Sequence, residues 1–261
     1  MTITAALLLG LLQGLTEFLP VSSSGHLVLA QHILGYAGAE YLTFDVIVHL
    51  GTLLAVFIYF RRDLITIATS AVTQKDESQG RRWITMIIIG TIPTVIIGLG
   101  FEDWFKSIFG NPKLVAGMLL LTALILLLAD RRKLKGGGRS RLTVPSSLLI
   151  GTAQGLAIIP GISRSGSTIA TAIFTGLDPA IAARFSFLLS IPAILGASVL
   201  EMGGISGITA QQLPAYLLGF SASFISGYIA IDLLLKLVIK RRLWSFSIYL
   251  AIVGVLGLIL I

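Results

Sequence analysis

The stretch QGLTEFLPVSSSGH (residues 13–26) places a glutamine, a glutamate, three serines and a histidine inside an otherwise apolar segment. A helix running through residues 3–19 has to stop at Pro20, because proline removes a backbone donor and disfavours helical geometry in the residue before it. The serines that follow suit the N-cap of a second, shorter helix. Residues 148–178 show the same plan, an apolar run that ends at Pro160-Gly161 and resumes after SRSGS. Shifted by 141 positions, Gly10, Gln13, Gly14, Leu15, Ser22, Ser24 and Gly25 fall on Gly151, Gln154, Gly155, Leu156, Ser163, Ser165 and Gly166. The chain therefore reads as a duplication whose two copies each open with a broken helix.

What surrounds these segments sets the fold class. Of 261 residues, 55% are apolar and 12% charged, whereas a soluble domain carries roughly 25% charged residues. Six runs, 43–60, 84–100, 114–129, 185–201, 214–239 and 243–261, approach the length of a membrane-crossing helix. Trp83, Trp104 and Trp244 stand at span ends, as interfacial anchors do. Basic residues gather at Arg61, Arg62, Arg81, Arg82, across 130–141 and at 240–242, whereas 101–113 and 201–212 are poor in them. By the positive-inside rule the first group is cytoplasmic and the second outside. The spans then alternate without conflict, and both termini fall on the extracytoplasmic side of the plasma membrane.

A full crossing by 3–36 or by 148–178 would invert every later span. Both therefore read as re-entrant helical hairpins, whose irregular backbone needs cover from protein or a wet cavity. The expected architecture is an all-α integral membrane fold, with each half made of one hairpin and three transmembrane helices. An odd number of spans per copy makes it an inverted-topology repeat. Its parts are a first repeat 1–129, a basic cytoplasmic linker 130–147 and a second repeat 148–261, forming a single membrane domain.

Several functions are excluded. The net charge of +7 sits in loops that set topology, so no nucleic-acid partner is expected. Without cysteine there is no disulfide, thiolate metal site or thiol nucleophile. The first residues lack the basic region of a cleavable signal peptide. The small residues of SASFISG (221–227) suit close helix packing within the chain or in a homodimer.

The hairpin breaks carry the chemistry. Each places hydroxyls, a glycine and free amides at a helix start, a site that favours anions, and Arg164 adds a planar cation suited to phosphate oxygens. Two such breaks facing each other would clamp a multiply charged anion such as a diphosphate. Gln13 and Glu17 are four residues apart and share a helix face. A carboxylate within the membrane needs a partner, a proton or a cation. Ser23 and His26 are three apart and share a face if the second helix begins near Ser22.

QGLTE followed by PVSSSGH, together with PGISRSGST and the RFSFLLSIP span start, resembles the signature motifs of the undecaprenyl-diphosphate phosphatase family, known for bacitracin resistance. The resemblance covers essentially the whole chain. It implies hydrolysis of a C55 polyprenyl diphosphate, bound from the bilayer, to the monophosphate carrier lipid and phosphate for cell-envelope glycan synthesis. It also implies a divalent cation, Mg2+ or Ca2+. The family's first motif opens on Glu or Gln, and here it is Gln13.

Joining both lines, Glu17 orients a cation or a water with Gln13 as its support. Arg164, Ser163, Ser165, Gly166, Ser167 and Thr168 hold the diphosphate against Ser22, Ser24 and Gly25 of the first break. Ser23 is the expected nucleophile with His26 as its base; attack by water or by His26 itself stays open. Asp45 and His49 read as a local polar pair, Asp232 and Lys236 as a helical ion pair, and Asp178 as a helix cap. The second reading is a polyprenyl-phosphate flippase or other secondary transporter, because opposed broken helices also serve transport.

Overall fold

The computed structural model describes residues 1–36, 42–72, 79–108, 111–200, 208–240 and 242–260. Much of the outer loop expected at 201–212, and Arg241 of the last basic cluster, lie outside the described residues. The helices are α1 (Ile3–Phe18), α2 (Ser23–Leu34), α3 (Leu42–Tyr59), α4 (Arg61–Val72), α5 (Gln79–Gly100), α6 (Glu102–Ile108), α7 (Pro112–Asp130), α8 (Val144–Leu156), α9 (Arg164–Phe174), α10 (Pro179–Leu200), α11 (Leu213–Ile239) and α12 (Leu243–Leu260). Among the described residues the sole β feature is an isolated bridge between Arg139 and Leu177.

Local chemistry sets the helix ends. The Thr2 hydroxyl accepts from the Ala5 amide, Asn111 caps α7 ahead of Pro112, and Thr143 forms a capping box with Ser146. The Asp178 carboxylate accepts from the Ala180 and Ile181 amides at 2.9 and 3.3 Å, the cap its place before Pro179 predicts. Asp232 and Lys236 pair at 2.6 Å on α11.

Helices α3, α5, α7, α10, α11 and α12 are the six long and apolar enough to cross a membrane. They match the six expected spans to within a few residues, apart from earlier starts for α5 and α10. Pro93 and Pro192 lie inside α5 and α10, which neighbouring membrane helices allow by re-partnering freed backbone groups. Helices α4 and α6 occupy stretches expected to be loops. Leu64 and Ile67 of α4 pack on the core, and Phe105 and Ile108 of α6 are buried. Short helices with one apolar side escape a reading based on long apolar runs.

Small residues govern the packing, as expected where lipid removes the hydrophobic drive between helices. Helix α1 lies along α11, and a Cβ at Gly14 would meet Ser226 Oγ at 1.9 Å. Ser226 also donates to the Leu11 carbonyl, so the small stripe of 221–227 is used inside the chain. Helix α8 lies along α5 in the same way. A Cβ at Gly151 would come within 1.8 Å of the Gly90 carbonyl oxygen, and Thr94 donates to the Gly151 carbonyl at 2.9 Å. Each broken segment therefore rests on a long helix from the other half of the chain.

The two breaks meet. Ser165 of α9 donates to the Leu19 carbonyl at 3.1 Å, and a Cβ at Gly25 would lie 3.1 Å from the Gly161 Cα. Thr122 of α7 secures the second break by donating to the Gly161 carbonyl and accepting from the Ser163 amide, at 2.9 and 3.1 Å. Phe18, Phe60 and Phe187 pack at 5.4–5.6 Å between ring centres beside this junction.

Candidate active site

Glu17 is the hub of the site. It lies in the last turn of α1, buried, with Gln13 one turn earlier on the same face. The Gln13 side-chain amide donates to Glu17 Oε2 at 2.9 Å. The chain then extends at Leu19 and turns back through Ser22, a non-glycine residue with φ at 67°. Left-handed backbone is unfavourable for such a residue and marks a position fixed by its surroundings. The turn starts α2 at Ser23, and side chains in a first helical turn tilt toward the N-terminus. The Ser23 hydroxyl thus faces Glu17 and donates to Oε2 at 2.5 Å.

From the second break, Arg164 Nη2 reaches Glu17 Oε1 at 2.7 Å. The Ser22 and Ser163 hydroxyls accept from the Gly25 and Gly166 amides at 3.3 and 3.0 Å, one cap for each short helix. Those caps leave the earlier amides of each first turn without an intrahelical acceptor. Ser24 approaches Ser22 at 3.4 Å, and Ser163 approaches Ser165 at 3.3 Å. Thr168 is turned inward, toward the Arg164 carbonyl and Ser186.

Three buried polar atoms of these residues have no hydrogen-bond partner among the described residues: Gln13 Oε1, Arg164 Nη1 and Ser167 Oγ. Buried polar groups are nearly always paired, so each marks a place for ligand or water. An oxygen acceptor beside a carboxylate, and a guanidinium N–H, match a hard cation and a phosphoryl group respectively. Among the described residues no three His, Cys, Asp or Glu side chains gather into a cation cage. The oxygen donors Glu17 and Gln13 still fit Mg2+, which is commonly held by one or two carboxylates with substrate phosphates and water completing its shell.

One placement differs from expectation. His26 does not pair with Ser23. Its Nδ1 donates to the Ser22 carbonyl at 2.9 Å, while Nε2 meets the Tyr249 hydroxyl at 2.7 Å with the rings stacked. A carbonyl only accepts, so the hydrogen is on Nδ1, and a neutral ring receives the tyrosine hydrogen at Nε2. Asp45 and His49 do form a local pair, but through the Asp45 backbone carbonyl in place of its carboxylate. His49 Nδ1 donates to the Asp45 carbonyl at 2.7 Å, the Asp45 carboxylate accepts from Gln31 at 2.7 Å, and His49 Nε2 stands 3.6 Å from Glu17 Oε2.

His49 and Tyr249 are the members of this constellation that sequence reading missed. An Asp and a His inside an apolar span were a usable signal, since ionisable groups within the membrane are costly. Tyr249 gave none, because a tyrosine near a span end reads as an interfacial anchor. Gln154, which the shift of 141 positions sets on Gln13, donates to Thr94 and to the Leu189 carbonyl, at 3.3 Å each. It braces α8 against α5 and α10, and the same shift sets Ile158 on Glu17, so no carboxylate stands one turn after it.

Fold and site together define a multi-pass membrane protein with a buried carboxylate, guanidinium and hydroxyl gathered where two broken helices touch. The chain belongs to the BacA family: the family model described as bacitracin resistance protein BacA matches residues 6–256. It is similar to proteins named undecaprenyl-diphosphatase. The one from Syntrophotalea carbinolica is 43% identical over 255 residues, covering 97% of each chain. The one from Carboxydothermus hydrogenoformans is 44% identical over 259 residues, covering 98% of this chain and 96% of its own. The one from Geobacter sulfurreducens is 45% identical over 260 residues, covering 97% and 96%.

Proposed function

We propose that this protein hydrolyses undecaprenyl diphosphate to undecaprenyl monophosphate and inorganic phosphate, and so supports envelope glycan synthesis and bacitracin resistance. The observation that carries the reading is the Glu17 carboxylate, bonded at once by Ser23 and Arg164 from opposite breaks. Relatives named for this activity align over almost the full chain.

Arg164 takes the terminal phosphoryl oxygens, using Nη1 first and then the Nη2 that holds Glu17 in the free protein. The freed carboxylate accepts the Ser23 proton as Oγ attacks the terminal phosphorus. The bond to the bridging oxygen breaks, the monophosphate lipid departs with its electron pair, and Glu17 returns the proton to it. Glu17 then takes a proton from a water that attacks the phosphoserine phosphorus, the bond to Ser23 Oγ breaks, and Glu17 returns that proton to Oγ as phosphate is released. Glu17 and Gln13 are the residues that would hold a divalent cation, which would further neutralise phosphate charge. His26, held between Ser22 and Tyr249, fixes the turn that aims Ser23. Ser163, Ser165, Gly166 and Gly25 keep the breaks in register, and Ser167 offers its hydroxyl to the departing phosphate.

The two broken segments are re-entrant hairpins of an inverted repeat, divided into the two halves and linker expected above. The contacts of α1 with α11 and of α8 with α5, equivalent under the duplication, support that division. The site opens to the extracytoplasmic face of the plasma membrane and both termini lie on that side, as the distribution of Lys and Arg indicates.

The test is phosphate release by purified protein given undecaprenyl diphosphate, with and without chelator. Release that is abolished in Arg164→Ala and Glu17→Ala, with both variants monodisperse, supports the reading. Absence of release by the wild type under any divalent cation overturns it, and lipid transport becomes the next activity to assay.

A further inference from the structure

His49 lies outside the two breaks and outside both motifs, yet it is the group of α3 that approaches Glu17. We infer that His49 is a positioning residue of the hydrolytic site, holding the Glu17 carboxylate on Ser23 while Arg164 is engaged by substrate. The inference rests on the hydrolase reading given above.

The argument is one of anchorage. Glu17 is fixed through both oxygens, with Arg164 on Oε1 and Gln13, Ser23 and His49 toward Oε2. Phosphate binding draws Arg164 away and releases Oε1. Gln13 comes from Glu17's own helix and fixes the carboxylate only relative to α1. Ser23 is the reacting group and leaves when its oxygen attacks phosphorus. His49 is what remains to tie the carboxylate to a different helix.

Its ring is prepared for that task. Nδ1 donates to the Asp45 carbonyl at 2.7 Å, which leaves Nε2 as the atom directed at the site, 3.6 Å from Glu17 Oε2, where the imidazolium form presents an N–H to the carboxylate. Gln31 of α2 holds the Asp45 carboxylate at 2.7 Å, tying this turn of α3 to the helix that begins at Ser23. Ser23 and His49 are thus set relative to each other by the same pair of helices. The His49 side chain is 29% exposed, so replacements can be accommodated without a packing defect. A histidine kept only for its bond to the preceding turn would have no reason to face the carboxylate.

The experiment compares His49→Leu, which removes the donor, with His49→Gln, whose amide nitrogen reaches the place of Nε2. In the phosphate-release assay, His49→Leu is expected to lose at least about tenfold in kcat with KM changed by less than about twofold, the pattern of an interaction that matters in the transition state. His49→Gln is expected to recover most of that loss. A readout independent of turnover is the infrared carboxylate band of Glu17, isolated by subtracting the Glu17→Gln spectrum. It shifts in His49→Leu and returns in His49→Gln. Wild-type kcat in His49→Leu, or equal losses in both variants with an unmoved band, overturns the inference. If the wild type releases no phosphate, the hydrolase reading falls, and the inference that rests on it falls too, whereas the band still reports whether His49 holds Glu17.

Discussion

Ser23 and Glu17 meet at 2.5 Å across the turn that separates α1 from α2, six residues apart in sequence. That contact gives the serine hydroxyl a carboxylate for its hydrogen, and it leaves His26 to the Ser22 carbonyl and Tyr249. Ser23→Ala and Glu17→Gln should each lower the rate of phosphate release by at least about 100-fold, within the range that a positioned base contributes. His26→Gln should lose less, because the ring acts on the turn and not on the hydroxyl. Equal losses for His26→Gln and Ser23→Ala would restore the histidine as the base.

Arg164 is open to two separate tests, one of catalysis and one of stability. Arg164→Ala should lower kcat by about 1,000-fold, the lower end for an arginine that stabilises phosphoryl transfer. It also strands a buried carboxylate, a loss of about 3–5 kcal/mol where such a pair is broken on one side. The double variant Arg164→Ala/Glu17→Gln should regain much of the Tm in detergent without regaining activity. A double variant no more stable than Arg164→Ala would show that the ion pair contributes little to the fold.

Contact between α5 and α8 leaves no room for a methyl group at Gly151, where the nearest atom is backbone. Gly151→Ala should destabilise by about 1–3 kcal/mol, the usual penalty for overpacking. Gly117 on α7 has nothing within 4 Å of a built Cβ, so Gly117→Ala should be neutral or stabilise by up to about 1 kcal/mol. Thermal unfolding of the two variants side by side reads the difference; equal Tm values would contradict the packing.

The cation is tested through Gln13. Chelation should abolish phosphate release, and added Mg2+ or Ca2+ should restore it. Gln13→Ala removes the unpartnered oxygen beside Glu17 and should raise the cation concentration needed for half-maximal rate. Gln13→Glu should lower it. Full activity in chelator would remove the cation from the reaction.

Orientation is read by cysteine labelling, for which the absence of native cysteine leaves no background. Lys113→Cys should react with an impermeant maleimide added outside intact cells, and Lys133→Cys only after permeabilisation. Reaction of both from one side would contradict the assigned topology.

The six long helices were legible because lipid demands an unbroken apolar run of fixed length, and that demand is written along the chain. The breaks were legible through Pro20, Pro160-Gly161 and the serines that follow them. Contacts between the halves were less so. Nothing in the sequence around Glu17 says that Arg164, 147 positions away, bonds Oε1, although two costly charges in one membrane domain made their meeting foreseeable. The Ser23–His26 spacing misled because the helix starts at Ser23, where the hydroxyl leans back toward Glu17. Tyr249 was hidden because its hydroxyl acts only through the approach of α12 to His26, a matter of packing with no local signature.

The way the broken segments are seated also bears on how the chain is made. Helix α8 comes to rest on α5, which precedes it in synthesis, but α1 comes to rest on α11, whose residues emerge roughly two hundred positions later. Until α11 arrives, the first segment must wait in the translocon or lipid with the face of α1 that carries Gly10 and Gly14 uncovered. A nascent chain stalled before Leu213 should therefore remain bound to insertion or quality-control factors, and the activity should appear only after the second half has been inserted.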